Sequence, residues 1–142
     1  MNDTNISFSF TGYEIIGNNG KKIGYRKAEK IIDFKKLKRS CDIGLSTVIL
    51  KKSLLNDNDC EFAELKTKED YVFWLKLAKK NIMLFGLNKN LSYWRKSKNS
   101  LSSSTFQKLV DGYKVYRIYL NYGKIKSLIY LIILSINYIL KN

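Results

Sequence analysis

The chain has 142 residues, a formal net charge of +14 and no histidine. It is therefore the size of one domain or part of a larger one, and histidine-based triads, general bases and metal ligands are excluded. Hydrophobic residues make up 45% of it, which excludes a disordered composition, and the excess of 26 Lys and Arg over 12 Asp and Glu favours anionic partners such as nucleic acid, lipid headgroups or diphosphates.

The first part of the chain has the pattern of a β-hairpin followed by a short helix. Residues 6–16 begin with alternating apolar and polar side chains, which predicts a strand. Residues 17–20 read Gly-Asn-Asn-Gly, which is turn chemistry, so residues 21–26 are expected to return as the partner strand. Asp33 can cap a short basic helix over residues 34–39.

The middle of the chain mixes short strands, turns and helices. Residues 43–50 are apolar and β-rich, which predicts a buried strand, and residues 51–55 are expected to form a helical turn. A polar loop follows. Downstream, we expect short strands over residues 82–86 and 91–95, with a turn over residues 87–90 between them. A surface loop over residues 96–105 and a helix over residues 106–120 are expected to follow.

The two cysteines, Cys41 and Cys60, are too few for a zinc motif or a disulfide framework. We interpret both as free thiols in a reducing compartment, with a bridge between them as the alternative. The first five residues carry no Lys or Arg, so no signal peptide is expected to begin there.

Residues 67–80 predict a central helix with carboxylates at its start. Thr67 followed by Asp70 fits a capping box, and Glu69 and Asp70 would lie in the first turn, where free backbone N–H groups favour carboxylates. Residues that would face a core recur at helical spacing: Tyr71, Trp74, Leu75 and Ala78. A carboxylate held there could act as a catalytic base, although an ordinary helix start has the same pattern, so both interpretations stay open at this point.

The last apolar segment, residues 127–140, is shorter than the roughly 20 residues that span a bilayer. Lys124 and Lys126 precede it and Lys141 follows it, which fits a helix lying in a membrane interface; a helix packed on the domain core is the alternative. We therefore divide the chain into residues 1–122 and a C-terminal helical part, residues 123–142.

Several short sequences, in consistent order over nearly the whole chain, resemble the C-terminal half of bacterial family 2 glycosyltransferases. They are FSFTGY at residues 8–13, IGLSTV at 43–48, EDY at 69–71 with WLK at 74–76, YWR at 93–95 and KNSLS at 98–102. The resemblance implies an α/β fold of the GT-A type. Here that fold would be partial, since it lacks the N-terminal nucleotide-binding βαβ units, and it would end in C-terminal helices.

The resemblance also implies roles for individual residues. Asp70 would be the general base that takes the proton from an acceptor hydroxyl as its oxygen attacks C1 of the sugar with inversion, and Glu69 would orient that base or contact the acceptor. Residues near the diphosphate and acceptor would be Trp94, Arg95, Lys98 and Ser100. The alternatives are a salt bridge from Arg95 that positions the Asp70 helix, and a core or pocket-wall position for Trp94.

The resemblance further implies a divalent metal, Mn or Mg, in the intact family enzyme. The family's Asp-x-Asp lies upstream of Phe8, where this chain has none. Asp57 and Asp59 match it only in letters, in a loop best interpreted as a solvated turn, so we assign no metal ligand. We expect a truncated or split enzyme with little activity alone, which associates with itself or with a complementing N-terminal half.

The functional hypothesis is the acceptor-side portion of an inverting glycosyltransferase that moves a sugar from a nucleotide-sugar to a cell-surface glycan or a lipid-linked acceptor. Its location would be cytoplasmic and peripheral on the inner face of the cell membrane. The alternative is a basic, non-catalytic module that binds an anionic membrane, nucleic acid or a partner chain. Nucleic acid is disfavoured because basic residues are spread from Lys21 to Lys141 and no recognised module is present.

Overall fold

The computed structural model of the protein describes residues 6–56, 61–97 and 104–141. They form a mixed α/β fold built on one five-stranded sheet. The strands and α-helices are β1 (Phe8–Ile16), β2 (Lys22–Arg26), β3 (Ile31–Ile32), α1 (Phe34–Leu37), β4 (Val48–Leu50), α2 (Glu69–Lys79), β5 (Leu84–Arg95), α3 (Thr105–Lys114) and α4 (Lys124–Leu140). Short 3₁₀ turns span Leu45–Thr47 and Lys52–Leu55, and a π-helical segment spans Val115–Tyr119.

The sheet has the strand order β2–β1–β5–β3, and β4 pairs with the beginning of β1. The predicted hairpin is confirmed, because β1 and β2 pair antiparallel and the turn between them places Gly20 at φ 77°, which glycine adopts without strain. β1 pairs with β5 in parallel along almost its whole length. The centre of the sheet is therefore a parallel pair, and the edges are antiparallel.

The prediction of two short strands separated by a turn over residues 82–95 is wrong, because β5 is one strand of 12 residues. Its pairing with β1 continues through the polar residues 88–90, since Thr11 lies opposite Leu87 and Gly12 lies opposite Asn90. The extra residues of β5 therefore form an irregularity in its pairing with β1. The polar composition that suggested a turn belongs to this bulged part of a strand.

The prediction of a buried strand over residues 43–50 is also wrong for most of these residues. Leu45–Thr47 forms a 3₁₀ turn, and β4 is a short strand in which Ile49 is 64% exposed. β4 pairs with β1 only at Phe8–Phe10, because β2 occupies the same edge from Tyr13 onward. Only a short part of β1 is therefore available to pair with β4. The helical turn predicted next is confirmed as the 3₁₀ turn at Lys52–Leu55.

Helix α1 begins as predicted, with the Asp33 carboxylate accepting the backbone N–H of Lys36 at 2.7 Å, but it ends at Leu37 rather than residue 39. Helix α2 forms the centre of the core. Trp74 packs edge-on against Phe8 of β1, with 5.1 Å between ring centroids. The buried residues of α2 include the four predicted positions and three more: Tyr71, Val72, Phe73, Trp74, Leu75, Leu77 and Ala78.

Helix α3 continues into the π-helical segment, in agreement with the helix predicted over residues 106–120. Helix α4 then packs on this segment through one face, where Ser127 and Leu134 are buried and the Tyr130 ring stacks on Tyr116 at 5.5 Å. Most of the rest of its apolar surface is exposed, apart from the half-buried Leu131 and Ile133. Within the described ranges, no helix is both long and apolar enough to cross a membrane.

Candidate active site

Helix α2 begins with Glu69 and Asp70 in its first turn, as predicted, but its N-cap differs from the prediction. The capping residue is Lys68, in a left-handed conformation with φ 67° and no side-chain cap. Thr67 does not close a capping box; its hydroxyl donates to Asp111 Oδ2 at 2.9 Å. A carboxylate is a stronger acceptor than a neutral group, so Thr67 is drawn to α3 and the helix start is fixed from outside.

Asp111 is a buried carboxylate, only 1% exposed, which the sequence interpretation missed. It accepts hydrogen bonds from the Thr67 N–H and hydroxyl and from Gln107 Nε2, each at 2.9 Å. Burial alone raises the pKa of Asp111, but the hydrogen bonds from Gln107 and Thr67, with the charge of Lys114, outweigh burial and hold it below its ordinary value. The sequence signal was a carboxylate four residues before the core residue Val115, on the same face of the helix.

Asp70 has the opposite electrostatic setting. Burial raises the pKa of its carboxyl, and the neighbouring Glu69 raises it further, while the N–H of Tyr71 and the charge of Lys68 act against the increase. The Tyr71 N–H donates to Asp70 Oδ1 at 2.7 Å, which orients the group. A carboxylate with a raised pKa is a better proton acceptor than an ordinary surface aspartate, so this electrostatic setting suits a general base.

Aromatic hydroxyls fix the helix behind these acids. The Tyr71 hydroxyl donates to the backbone oxygen of Leu37 at 2.8 Å and lies 3.2 Å from the Tyr116 hydroxyl, which in turn donates to the backbone oxygen of Lys38 at 2.9 Å. The first turn of α2 is thereby tied to the end of α1 and to the π-helical segment. The helix turn that carries Asp70 is therefore held by hydrogen bonds from two neighbouring segments.

The segment that follows α1 borders the acidic pair. Burial raises the pKa of the Cys41 thiol to about 12, with Lys68 lowering it and Asp70 and Asp42 raising it, so this thiol stays protonated. Cys41 is free, in agreement with its interpretation, and Cys60 lies outside the described residues. A hollow of about 440 Å³ adjoins this segment and is lined by Gly24, Tyr25, Arg26, Lys27, Glu29, Asp42 and Lys141.

The structure places Trp94 and Arg95 at the far end of β5. Trp94 is 40% exposed, so a core position for it is wrong. Arg95 Nη1 donates to the backbone oxygens of Gly17 and Asn18, at 3.3 and 3.2 Å, in the turn of the hairpin. Within the described part of the chain these bonds do not reach α2, so the alternative of a salt bridge that positions the Asp70 helix is wrong as well.

The structure thus brings Glu69 and Asp70 together on α2, and Trp94 and Arg95 together on β5. Lys98 and Ser100 lie outside the described residues, as do Asp57 and Asp59. Among residues 6–56, 61–97 and 104–141, no group of three or more Cys, Asp or Glu side chains could hold a metal ion. The described residues therefore do not provide a ligand set for the divalent metal that the family resemblance implied.

No protein-family model matches the chain. It is 39% identical, over 110 residues, to the Escherichia coli UDP-Glc:alpha-D-GlcNAc-diphosphoundecaprenol beta-1,3-glucosyltransferase WfgD, a match that covers 77% of this chain and 42% of that protein. It is 26% identical, over 118 residues, to Bacillus subtilis strain 168 TuaG, provisionally named a teichuronic acid biosynthesis glycosyltransferase, a match that covers 82% of this chain and 46% of TuaG.

The chain thus spans less than half the length of the curated relatives it matches. Both matches nevertheless cover more than three quarters of the chain itself. This chain is related to bacterial glycosyltransferases over most of its sequence.

Proposed function

We propose that this chain is the acceptor-side portion of an inverting family 2 glycosyltransferase with a partial GT-A fold. The observation that carries the proposal is Asp70. It is a carboxylate with a raised pKa, held in the first turn of a buried helix, in a chain related to glycosyltransferases. Arg95, Trp94, Lys98 and Ser100 are proposed to contact the diphosphate or the acceptor, and the guanidinium fork suits a phosphate.

The proposed substrates are a nucleotide-sugar donor and a cell-surface glycan or lipid-linked acceptor. The name of the E. coli relative specifies UDP-glucose and a diphosphoundecaprenol acceptor, and the name of the B. subtilis relative specifies teichuronic acid biosynthesis. A lipid-linked acceptor would place the reaction at a membrane, so a peripheral position on the inner face of the cell membrane belongs to the proposal.

In the proposed reaction Asp70 accepts the proton of an acceptor hydroxyl. The hydroxyl oxygen forms a bond to C1 of the sugar on the face opposite the leaving group, and the nucleoside diphosphate departs with the electron pair of the broken C1–O bond. Glu69 orients the base or the acceptor. An oxocarbenium-like transition state is also stabilised by a nearby anion.

We propose that donor binding requires a further portion of protein, and that the chain alone transfers little or no sugar. Beyond Gly86, the edge of β5 away from β1 has no strand partner within the described residues. Exposed apolar side chains stand on the same strand: Leu87, Leu91, Tyr93 and Trp94. An open, apolar strand edge favours association with another copy or with a donor-binding half. A compact, stable monomer in analytical ultracentrifugation would contradict this part of the proposal.

The catalytic proposal is tested in a chimera. The 110 matched residues of the E. coli relative are replaced by those of this chain, and glucose transfer from UDP-glucose to its lipid-linked acceptor is measured. We expect transfer by the chimera and a loss of about 10²–10⁴-fold in kcat for Asp70→Asn, since a general base contributes that much. Asp33→Asn, at the cap of α1, is the matched control and should retain activity.

Full activity of the Asp70→Asn chimera would overturn the role of the base, and a folded but inactive chimera would overturn the acceptor-side assignment. The alternative of a basic binding module predicts a different result. In that case Asp70→Asn leaves binding to a polyanion unchanged or slightly stronger, and affinity falls steeply with salt.

A further inference from the structure

Helix α4 presents a continuous apolar surface away from the domain. Its exposed aliphatic residues recur at spacings of three and four, which places them on one side of the helix. They are each at least half exposed: Ile125, Leu128, Ile129, Ile132, Ile136, Ile139 and Leu140. We call this set the α4 stripe. With 17 residues, α4 is about 25 Å long, so the stripe is a sizeable unpartnered apolar face, of the kind that marks an interaction site.

The stripe is held in place by contacts on the opposite side of α4. Leu134 is buried against the domain, and Tyr130 stacks on Tyr116. At the C-terminal end, Asn137 Nδ2 donates to the backbone oxygen of Arg39 at 2.9 Å, and Lys141 forms an ion pair with Asp42. The helix is therefore docked firmly by one face, and the exposure of the stripe is a consequence of that docking.

The lysines at the start of α4 do not suit the helix dipole. The helix carries no Asp or Glu, and its first turn contains Lys124 and Lys126, where the helix dipole favours acids instead. On the docked side of α4, Lys38 Nζ lies 5.3 Å from the centre of the Tyr130 ring and Lys108 Nζ lies 5.6 Å from that of Tyr138, so these two amines make cation–π contacts within the chain. Lys126 Nζ lies 4.1 Å from the centre of the Tyr122 ring, and an external anionic surface would supply the negative counter-charge for the first-turn lysines.

One partner satisfies both the apolar and the basic features. A second copy of this chain would bring another +14 charge against the same lysines. Nucleic acid would match the lysines and leave a stripe of aliphatic side chains unburied. An anionic bilayer surface supplies phosphate headgroups for the lysines and acyl chains for the stripe, and basic amphipathic helices bind in that way.

We propose that α4 docks the protein on an anionic lipid surface, with its axis parallel to the membrane and the α4 stripe inserted at the boundary between headgroups and acyl chains. The inference deepens the proposed function and rests on it only for its biological setting. The docked end of α4 bonds to residues 39–42. Cys41 in that segment lies close enough to Asp70 for the Asp70 charge to raise the pKa of its thiol. A membrane-bound α4 would thus hold the base in a fixed relation to a lipid-linked acceptor.

The test is co-sedimentation of the purified chain with large vesicles, without nucleotide-sugar, so its result is independent of sugar transfer. We expect binding to equimolar phosphatidylglycerol and phosphatidylcholine, at least ten-fold weaker binding to pure phosphatidylcholine, and a decrease in binding at high salt. The double variant Ile132→Ser with Ile136→Ser should lose at least ten-fold in vesicle affinity, and Lys124→Ser with Lys126→Ser should lose the preference for phosphatidylglycerol.

The matched control is Ile23→Ser with Ile49→Ser, two exposed isoleucines on the sheet, and this variant should bind as the wild type does. Circular dichroism and a thermal scan check that each variant is folded. Equal binding to both vesicle types, unchanged binding of the Ile132→Ser and Ile136→Ser variant, or an equal loss in the control would overturn the proposal. A wild-type dimer that ignores vesicles and dissociates in the stripe variant would also overturn it and identify a second copy as the occupant.

Discussion

Helices α2 and α4 are both rich in apolar residues, yet the protein uses them in opposite ways. Most of α2 is buried, its first turn carries two acids that suit the helix dipole, and its basic residues lie toward its end. Most of α4 is exposed, its first turn carries lysines, and it contains no acid. Apolar content alone therefore does not separate the buried helix from the exposed one, whereas the order of charges along the two helices differs.

The largest effect that separates the two helices should come from Trp74→Ala in α2. Trp74 is 1% exposed and packs against Phe8 and Phe73, so its truncation leaves a large cavity. We expect a loss of about 3–5 kcal/mol in the free energy of unfolding, measured by urea denaturation. Trp74→Phe keeps most of the packing and should cost clearly less. Equal costs for the two variants would show that ring volume is not what α2 contributes.

The next effect should come from Asp111, which fixes the start of α2 from α3. Asp111→Ala would leave the buried N–H of Thr67 without its acceptor, and Gln107 Nε2 without its carboxylate, so we expect a loss of about 2–3 kcal/mol. Asp33→Ala, at the exposed cap of α1, serves as the comparison and should cost about 1 kcal/mol. A smaller cost at Asp111 than at Asp33 would mean that the start of α2 is fixed mainly by the tyrosine hydroxyls.

The pH dependence of stability should differ in sign between Asp70, in the first turn of α2, and Asp111, which bonds to Thr67 from α3. The pKa of Asp111 is lowered, so its contribution is present above the unfolded value near 3.8 and is lost as pH falls through the folded pKa. The pKa of Asp70 is raised, so its contribution is present below the unfolded value and is lost as pH rises through the folded pKa.

Asp70→Asn should therefore increase the free energy of unfolding near pH 7 relative to the wild type, and Asp111→Asn should decrease it there. Urea denaturation of the wild type and both variants from pH 3 to 8 measures the difference. A loss of stability at pH 7 in Asp70→Asn would show that the charged form of Asp70 is stabilised by the fold and that burial does not prepare it as a base.

Local sequence signals predicted the elements whose contacts are local. The hairpin turn at residues 17–20, the Asp33 cap and the span of α2 follow from neighbouring residues, and the structure has all three. The predictions for residues 43–50 and 87–90 failed because strand length there is set by what else pairs with β1. The spacing of Asp111 from Val115 indicated that this carboxylate faces the core, but its bonds to Thr67 could not be predicted because 44 residues separate the two.

The smallest effect on stability should come from the α4 stripe, and it is the most informative for the comparison. Ile132 is 57% exposed, so Ile132→Ala should change the free energy of unfolding by no more than about 0.5 kcal/mol while it weakens binding to anionic vesicles. Leu134→Ala, on the buried face of the same helix, should show the reverse pattern, with a cost of about 2 kcal/mol or more. If Ile132→Ala lowers the free energy of unfolding as much as Leu134→Ala does, the α4 stripe is packed against protein in solution. A partner chain, and not a membrane, would then cover the stripe.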